Sequence, residues 1–181
     1  TLTGNRIQDE FLFLFKKHHK RNKISSCIVK NTMRCNPADE RTERVCPMYD
    51  YYIEQLKTDL DEAQTAWKEV KAQLEDTYML VTSKTCRARI TRALGKVENW
   101  FKKVKPLTTS LSKDEQPSSV ELLAKIEKEL GLEYLKTFSF VCDTVFGLPA
   151  SKDQKESIME GVRHINDRIT DMKGTLRVLV D

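Results

Sequence analysis

The longest regular pattern of apolar positions in the chain runs from Met48 to Ser83. Nine positions there recur at alternating spacings of three and four residues, and all but one are apolar. A repeat of about 3.5 residues is typical of a helix packed against other helices. At about 1.5 Å per residue, the predicted helix is roughly 54 Å long. Its buried seam consists of Ile53, Leu56, Leu60, Ala63, Trp67, Val70, Leu74, Thr77 and Val81.

A second seam of the same kind follows Ser151 and Gln154, whose spacing predicts a capping box at the start of a helix. Gly161 and Gly174 lie off this seam, where each is expected to cost about 1 kcal/mol relative to alanine. The apolar positions are again spaced by four and three residues. They are Ile158, Val162, Ile165, Ile169, Met172, Leu176 and Leu179.

A helix from Lys84 to Lys105 is predicted between the two seams. The apolar register breaks between Val81 and Cys86, which predicts a turn before this helix. Its solvent-facing positions are almost all basic. The apolar face consists of Cys86, Ile90, Ala93, Val97, Trp100 and Val104, widened by Leu94 and Phe101.

Two shorter helices are predicted further along the chain. The first follows a capping box of Ser118 and Glu121 and is expected to stop at Gly131, because glycine commonly ends a helix. The second carries the apolar face Leu135, Phe138, Cys142 and Val145. The segment 106–118 has two prolines and five Ser or Thr residues, so we expect a mobile loop there.

The first 47 residues have the least regular pattern. Asn5 to Arg21 favours a helix buried on all sides, with a strand through Phe11, Phe13 and Phe15 as the alternative. Residues 22–47 are irregular and contain room for one short helix, Ile24 to Met33. Together the patterns predict one all-α domain, 1–181, a helical bundle or array of about six helices with two long heptad-patterned helices.

Composition narrows the class of protein further. The chain is 39% hydrophobic and 32% charged, and its longest apolar run is the five residues Phe11 to Phe15. That run is too short for a transmembrane helix or for the hydrophobic core of a signal peptide. The first residue is Thr1 rather than methionine, which favours a processed mature form or a trimmed fragment.

Positive charge is concentrated in two segments. Residues 1–35 contain eight basic and two acidic residues, and residues 84–105 contain eight basic and one acidic. The net charge of the whole chain is only +4, so the remainder is acidic. Clusters of this kind favour contact with an anionic partner.

The five cysteines allow at most two intramolecular disulfides. The candidates are Cys27, Cys35, Cys46, Cys86 and Cys142, and their spacing leaves the connectivity open. We expect at least one bridge that involves the first three and staples the N-terminal region. Cys86 and Cys142 lie on apolar helix faces, where a buried thiol is the alternative.

Catalytic and metal-binding patterns are not found in the sequence. No pair of cysteines has the two-to-four-residue spacing of a zinc site, and His18 and His19 point to different sides of a helix. The sequence contains no nucleophile elbow, phosphate loop or metalloprotease motif. We therefore expect neither an enzyme nor a bound metal or cofactor.

The leading hypothesis is a secreted, non-enzymatic protein that binds an extracellular partner. Cytokine-like or factor-capturing helical modules are the broad class, and the partner would be a protein factor, a receptor or a sulfated glycan. Trp100 and Phe101 would anchor the partner, or would instead belong to the core. The basic candidates are Lys16, Lys17, Lys20, Arg21, Lys23, Arg87, Arg89, Arg92, Lys102 and Lys103.

Two alternatives use the same features differently. An intracellular nucleic-acid-binding or coiled-coil scaffold protein would place the basic segments on phosphates and use the heptad faces for self-association. A lipid or small-ligand carrier would enclose its ligand between the long helices and Phe11 to Phe15. The redox state of the cysteines separates the first hypothesis from the intracellular one. Neither the cysteine spacing nor the helix patterns resemble a family specifically enough to name it.

Overall fold

The structure is a computed structural model that describes residues 47–111 and 119–180. These residues are almost entirely helical and include no strand, so the all-α prediction is confirmed for them. The helices are α1 (Pro47–Leu80), α2 (Lys84–Leu111), α3 (Ser119–Lys128), α4 (Tyr134–Phe146) and α5 (Lys152–Val180). The helices predicted for Asn5 to Arg21 and for Ile24 to Met33 lie outside the described residues.

The first predicted seam is buried as expected. Eight of its nine residues are buried and Thr77 is half-buried, so α1 turns one face inward along most of its length. The predicted break is also present, since residues 81–83 are not helical. The ammonium group of Lys71, ten positions before the break, pairs with the carboxylate of Glu98, fifteen positions after it. Helices α1 and α2 therefore form an antiparallel hairpin.

Helices α3 and α4 form one continuous rod, joined by a π-helical turn at Glu129–Glu133. The prediction that the first helix stops at Gly131 is wrong. No described glycine has a positive φ, so Gly131 does not adopt the left-handed conformation of a helix end. The backbone N–H of Tyr134 instead reaches the carbonyl of Glu129. The wider turn inserts one residue and lets the buried face continue into α4.

The four rods form an antiparallel bundle in which α1 and α4 lie diagonally opposite each other. Each of them packs against α2 on one side and α5 on the other. The centre contains an aromatic cluster of Trp67, Trp100, Tyr134 and Phe138, with ring centroids 4.5–6.3 Å apart. Edge-to-face and tilted contacts of this kind stabilise a core beyond the burial of area alone.

The second predicted seam and its cap are both present. Six of the seven seam residues of α5 are buried, and Leu179 is half-buried. The backbone N–H of Gln154 donates to Ser151 Oγ at 3.2 Å, and the Ser151 N–H donates to Gln154 Oε1 at 3.1 Å. These reciprocal bonds confirm the capping box.

Gly161 has a packing role that its position off the seam does not reveal. A Cβ atom at this residue would lie 2.5 Å from Val70 Cγ2 of α1. The absent side chain therefore allows α1 and α5 to approach closely.

Helix α2 is longer than predicted, because residues 106–111 belong to it. The prediction of a loop from residue 106 is therefore wrong up to residue 111, and residues 112–118 lie outside the described part of the chain. Proline inside a helix removes one hydrogen bond and costs about 3 kcal/mol. Thr108 and Leu111 are both buried, and this burial favours continuing the helix beyond Pro106.

Candidate functional site

The basic surface of α2 is the strongest concentration of charge among the described residues. Its eight cations lie between Lys84 and Lys105, and its single acid in that range is Glu98. Glu98 pairs with Lys71 of α1. Across residues 47–111 and 119–180, none of the eight cations forms an ion pair, whereas Arg163 and Arg168 of α5 each pair with at least two carboxylates.

Arg87 has a structural role at the start of α2. Its Nε donates to the carbonyl oxygen of Val81 at 2.6 Å, and its guanidinium carbon lies 5.2 Å from the ring centroid of Tyr78. Ser83 caps the helix by accepting a hydrogen bond from the N–H of Cys86 at 3.3 Å. These contacts hold Arg87 half-buried against the α1–α2 connection, so it is a poor candidate for partner contact.

Four cations lie on the flank of α2 nearer to α4, and we call them the outer face: Arg89, Arg92, Lys96 and Lys103. All four are exposed. The guanidinium of Arg92 and the ammonium of Lys96 lie 5.9 and 5.2 Å from the ring centroid of Phe140 on α4. Lys103 follows Lys96 by two helical turns and so shares its side of the helix. The outer face extends about 21 Å along one helix.

The remaining cations of α2 include two that face α1. Lys102 and Lys105 line a surface groove between α1 and α2 together with Lys68 and Lys71 of α1. We call this the lysine groove. Its other lining residues are Gln64, Trp67, Glu98, Phe101 and Pro106.

The two aromatic residues considered as anchors belong to the core. Trp100 is 3% exposed and Phe101 is 5% exposed, and the indole N–H of Trp100 donates to the carbonyl of Glu129 at 2.9 Å. That bond fixes the π-helical turn to α2. The anchor interpretation is therefore wrong, and the core interpretation is confirmed.

The predicted basic residues have four different outcomes. Lys16, Lys17, Lys20, Arg21 and Lys23 lie outside the described residues. Of the others, Arg89, Arg92 and Lys103 share the outer face, Lys102 belongs to the lysine groove, and Arg87 stabilises the start of α2. The predicted set omitted the remaining members of the two surfaces: Lys68, Lys71, Lys96 and Lys105. Helical periodicity alone indicates that Lys96 lies beside Arg92, but the lysines of α1 join the groove only through tertiary packing.

The two described cysteines, Cys86 and Cys142, are free thiols. Cys142 is buried, and burial raises the pKa of its thiol to about 12, reinforced by the nearby Asp143 carboxylate. It is therefore unreactive at neutral pH, as expected for a small core residue. Cys27, Cys35 and Cys46, expected to form the staple, lie outside the described residues.

The rest of the described chain contains no group of three His, Cys, Asp or Glu residues placed to hold a metal ion. Among the same residues, no helix combines the length and apolar character that a membrane span requires. No family model, curated protein or solved structure significantly matches the chain.

Proposed function

We propose that this chain is a secreted, non-enzymatic binding protein whose outer face on α2 engages an extended anionic partner, with a sulfated glycan as the preferred class. The observation that carries the proposal is the set of four exposed cations without an ion-pair partner among the described residues. They are aligned over about 21 Å of one helix.

The packing of α2 supports this use. The helix contacts α1, α3 and α4, and the opposite side of α2 contributes Ile90, Ala93, Val97 and Val104 to the core. A packed helix holds its backbone in place before a partner arrives, so little conformational entropy is lost on binding. Arg92 and Lys96 are further restrained by Phe140. A row of preordered cations suits a chain of regularly spaced anionic groups.

Charge substitution tests the proposal directly. We would replace Arg89, Arg92, Lys96 and Lys103 with glutamine and measure binding to immobilised heparin over a range of NaCl concentrations. Affinity should fall at least tenfold at physiological salt. If each cation releases about 0.7–0.9 counterion, as on nucleic acids, the slope of log K against log[NaCl] should become shallower by about 3 to 4.

The matched control removes four cations from other helices: Lys125, Lys128, Lys152 and Arg177. All four are exposed, and none forms an ion pair with another described residue. Both quadruple variants have the same net charge. If they lose heparin affinity equally, binding depends on net charge alone and the outer face is not the site.

An intracellular nucleic-acid-binding protein is the second candidate, and the free thiols of Cys86 and Cys142 favour it. Thiol counting before and after reduction separates the two. With those two cysteines free, a secreted form is expected to hold one bridge within the set Cys27, Cys35 and Cys46. Five free thiols in the native protein would contradict secretion.

Competition separates the partners. Single-stranded DNA of the same charge as the heparin chain should displace the protein from heparin less effectively than soluble heparin does. Stronger displacement by DNA would favour the nucleic-acid candidate. If neither DNA nor soluble heparin displaces the protein, and the protein is retained on an immobilised acidic protein instead, the partner would be a protein factor or receptor.

A further inference from the structure

We infer that the lysine groove binds a tetrahedral oxyanion, a sulfate or phosphate group carried by a larger molecule. The groove lies on the flank of α2 that faces α1, and it shares no residue with the outer face. The inference therefore stands or falls separately from the proposed function.

The charges that line the groove are unbalanced. Four lysines share it with a single acid, Glu98, whose carboxylate already pairs with Lys71. Lys71 also lies 3.8 Å from Glu75 of its own helix. The other three ammonium groups, those of Lys68, Lys102 and Lys105, have no carboxylate partner within the described ranges. Three like charges around one groove repel each other, and a bound anion would remove that repulsion.

A second, independent observation comes from Trp67, which also lines the groove. The residue is 3% exposed, and its indole N–H has no hydrogen-bond acceptor among the described residues. The other tryptophan, Trp100, does have an acceptor, the carbonyl of Glu129. Buried donors without a partner are uncommon in folded proteins and often mark the place of a missing water or ion. This nitrogen is itself covered, so the lysine stems that line the groove would have to part for an anion oxygen to reach its floor and accept the hydrogen bond.

The lining also indicates the chemistry of the ligand. Lysine ammonium groups on flexible stems bind phosphate and sulfate as point charges from several directions. A tetrahedral anion presents three oxygens to the three unpaired lysines, whereas a carboxylate presents only two. Pro106, an exposed member of the lining, gives the groove an apolar wall that would contact the carbon skeleton carrying the anion.

Tryptophan fluorescence offers a direct test, because the chain contains two tryptophans. In the Trp100→Phe variant, Trp67 is the sole reporter. We would titrate this variant separately with sodium sulfate, sodium phosphate and a heparin-derived sulfated disaccharide, each against NaCl of matched ionic strength. A saturable change in Trp67 emission that NaCl does not produce is the expected result.

Trp100 lies in the core, so the unaltered chain provides a second readout that does not require the variant to fold. Its two indole N–H groups give separate NMR signals. The Trp67 signal should shift saturably with the same ligands, while the Trp100 signal should remain nearly fixed.

The binding residues are tested by replacing Lys68, Lys102 and Lys105 together with glutamine. The matched control carries Lys125→Gln, Lys128→Gln and Lys152→Gln. We expect the groove variant to bind the disaccharide at least tenfold more weakly than the control. A response to inorganic phosphate alone would identify a phosphate ester as the ligand, and a response to sulfate and the disaccharide would identify a sulfated sugar.

Three results would overturn the inference: a response that does not saturate, a response that NaCl reproduces, or equal affinities for the two triple variants. Heparin affinity of the outer-face variant is measured in parallel. If that variant loses heparin affinity while the groove titration fails, only the groove inference is wrong. If Trp67 reports saturable binding in the groove while the outer-face variant keeps full heparin affinity, only the proposed function is wrong.

Discussion

The α1–α5 interface and the outer face of α2 use arginine in opposite ways. At the interface, Arg168 contacts Glu62 at 3.0 Å and Asp171 at 3.1 Å, and it lies 3.8 Å from the buried Asp59. On the outer face, Arg89 and Arg92 have no carboxylate partner in the described part of the chain. The charged side chains at the interface pair with one another across two helices, whereas those of the outer face are exposed and can bind a partner. Substitutions at the interface should therefore change stability, and those on α2 should change binding.

The largest effect is expected from Gly161→Ala at the α1–α5 interface. The added Cβ would lie 2.5 Å from Val70 Cγ2, so the helices must separate or Val70 must move. Overpacking costs about 1–3 kcal/mol, and a contact as short as this one lies at the upper end of that range. The roughly 1 kcal/mol that alanine gains in a helix offsets only part of that cost. We expect the free energy of unfolding, measured with urea, to fall by about 2 kcal/mol.

Gly95→Ala on α2 is the matched control for that prediction. A Cβ at Gly95 meets no atom within 4 Å, so only the helix-propensity gain remains. The variant should be more stable by about 0.5–1 kcal/mol. Combining Gly161→Ala with Val70→Ala should recover part of the loss. Equal effects at the two glycines would mean that α1 and α5 do not approach as closely as described.

The next largest effect is expected from Arg168→Gln. Without the guanidinium, the carboxylates of Asp59, Glu62 and Asp171 face one another with no nearby cation, and Asp59 is buried. We expect a loss of about 1–2 kcal/mol in the free energy of unfolding. Arg163→Gln provides the control, because Arg163 pairs with Glu156 and Glu160 on the surface, where such pairs contribute about 0–1 kcal/mol. If Arg168→Gln loses no more free energy of unfolding than Arg163→Gln does, the charges at the interface interact as weakly as surface ion pairs.

Asp59 makes the stability of the same interface depend on pH, and this effect is expected to be smaller than that of Arg168→Gln. Burial raises the pKa of its carboxyl, as do the negative charges of Asp171 and Glu62, while a hydrogen bond from Gln55 and the charge of Arg168 oppose the shift. The folded state thus binds this proton more tightly than the unfolded state does. The resulting stability is fully present below the unfolded pKa of about 3.9 and is lost as the pH rises through the raised folded pKa.

Urea unfolding at several pH values checks this sign. Between about pH 4 and pH 7, the free energy of unfolding should decline more steeply in the native chain than in Asp59→Asn, which has no proton to lose. Glu69→Gln on the exposed side of α1 removes one carboxylate from the same helix and controls for the change in net charge. An identical slope in Asp59→Asn would mean that the pKa of Asp59 is not raised by folding.

Local patterns predicted most of the bundle. The seams of α1 and α5 were readable because burial on one side of a helix repeats every three or four residues. The capping box at Ser151 was readable because its hydrogen bonds join residues only three apart. The errors at Pro106 and Gly131 share one cause. Each residue disfavours a helix locally, but burial of the residues that follow it continues the helix.

Contacts between distant segments were beyond such patterns. Gly161 lies off the seam, so the sequence shows only that it is a weak helix former. Its contact with Val70 follows from the packing of α5 on α1. The basic segment of α2 was evident from composition. Its division into an outer face and a groove depends on which helices flank α2, and no local signal contains that information. The groove lysines Lys68 and Lys71 come from a different part of the chain for the same reason.

The smallest effect on stability is expected where the effect on binding is largest, at the outer face. Glutamine at Arg89, Arg92, Lys96 and Lys103 removes like-charge pairs that destabilise a helix by about 0.2–0.5 kcal/mol each. It also removes the contacts of Arg92 and Lys96 with Phe140, which stabilise it by about 0.5–1 kcal/mol each. These terms oppose each other, so the free energy of unfolding should change by less than about 1 kcal/mol.

Unfolding at low and at high NaCl separates the repulsion between the cations from their contacts with Phe140, because at 1 M salt charge repulsion is screened within about 3 Å. Relative to the native chain, the free energy of unfolding of the variant should therefore be higher at low salt than at high salt. A loss of several kcal/mol would mean that the outer face, like Arg168, is needed for folding, and the contrast between the two regions would disappear.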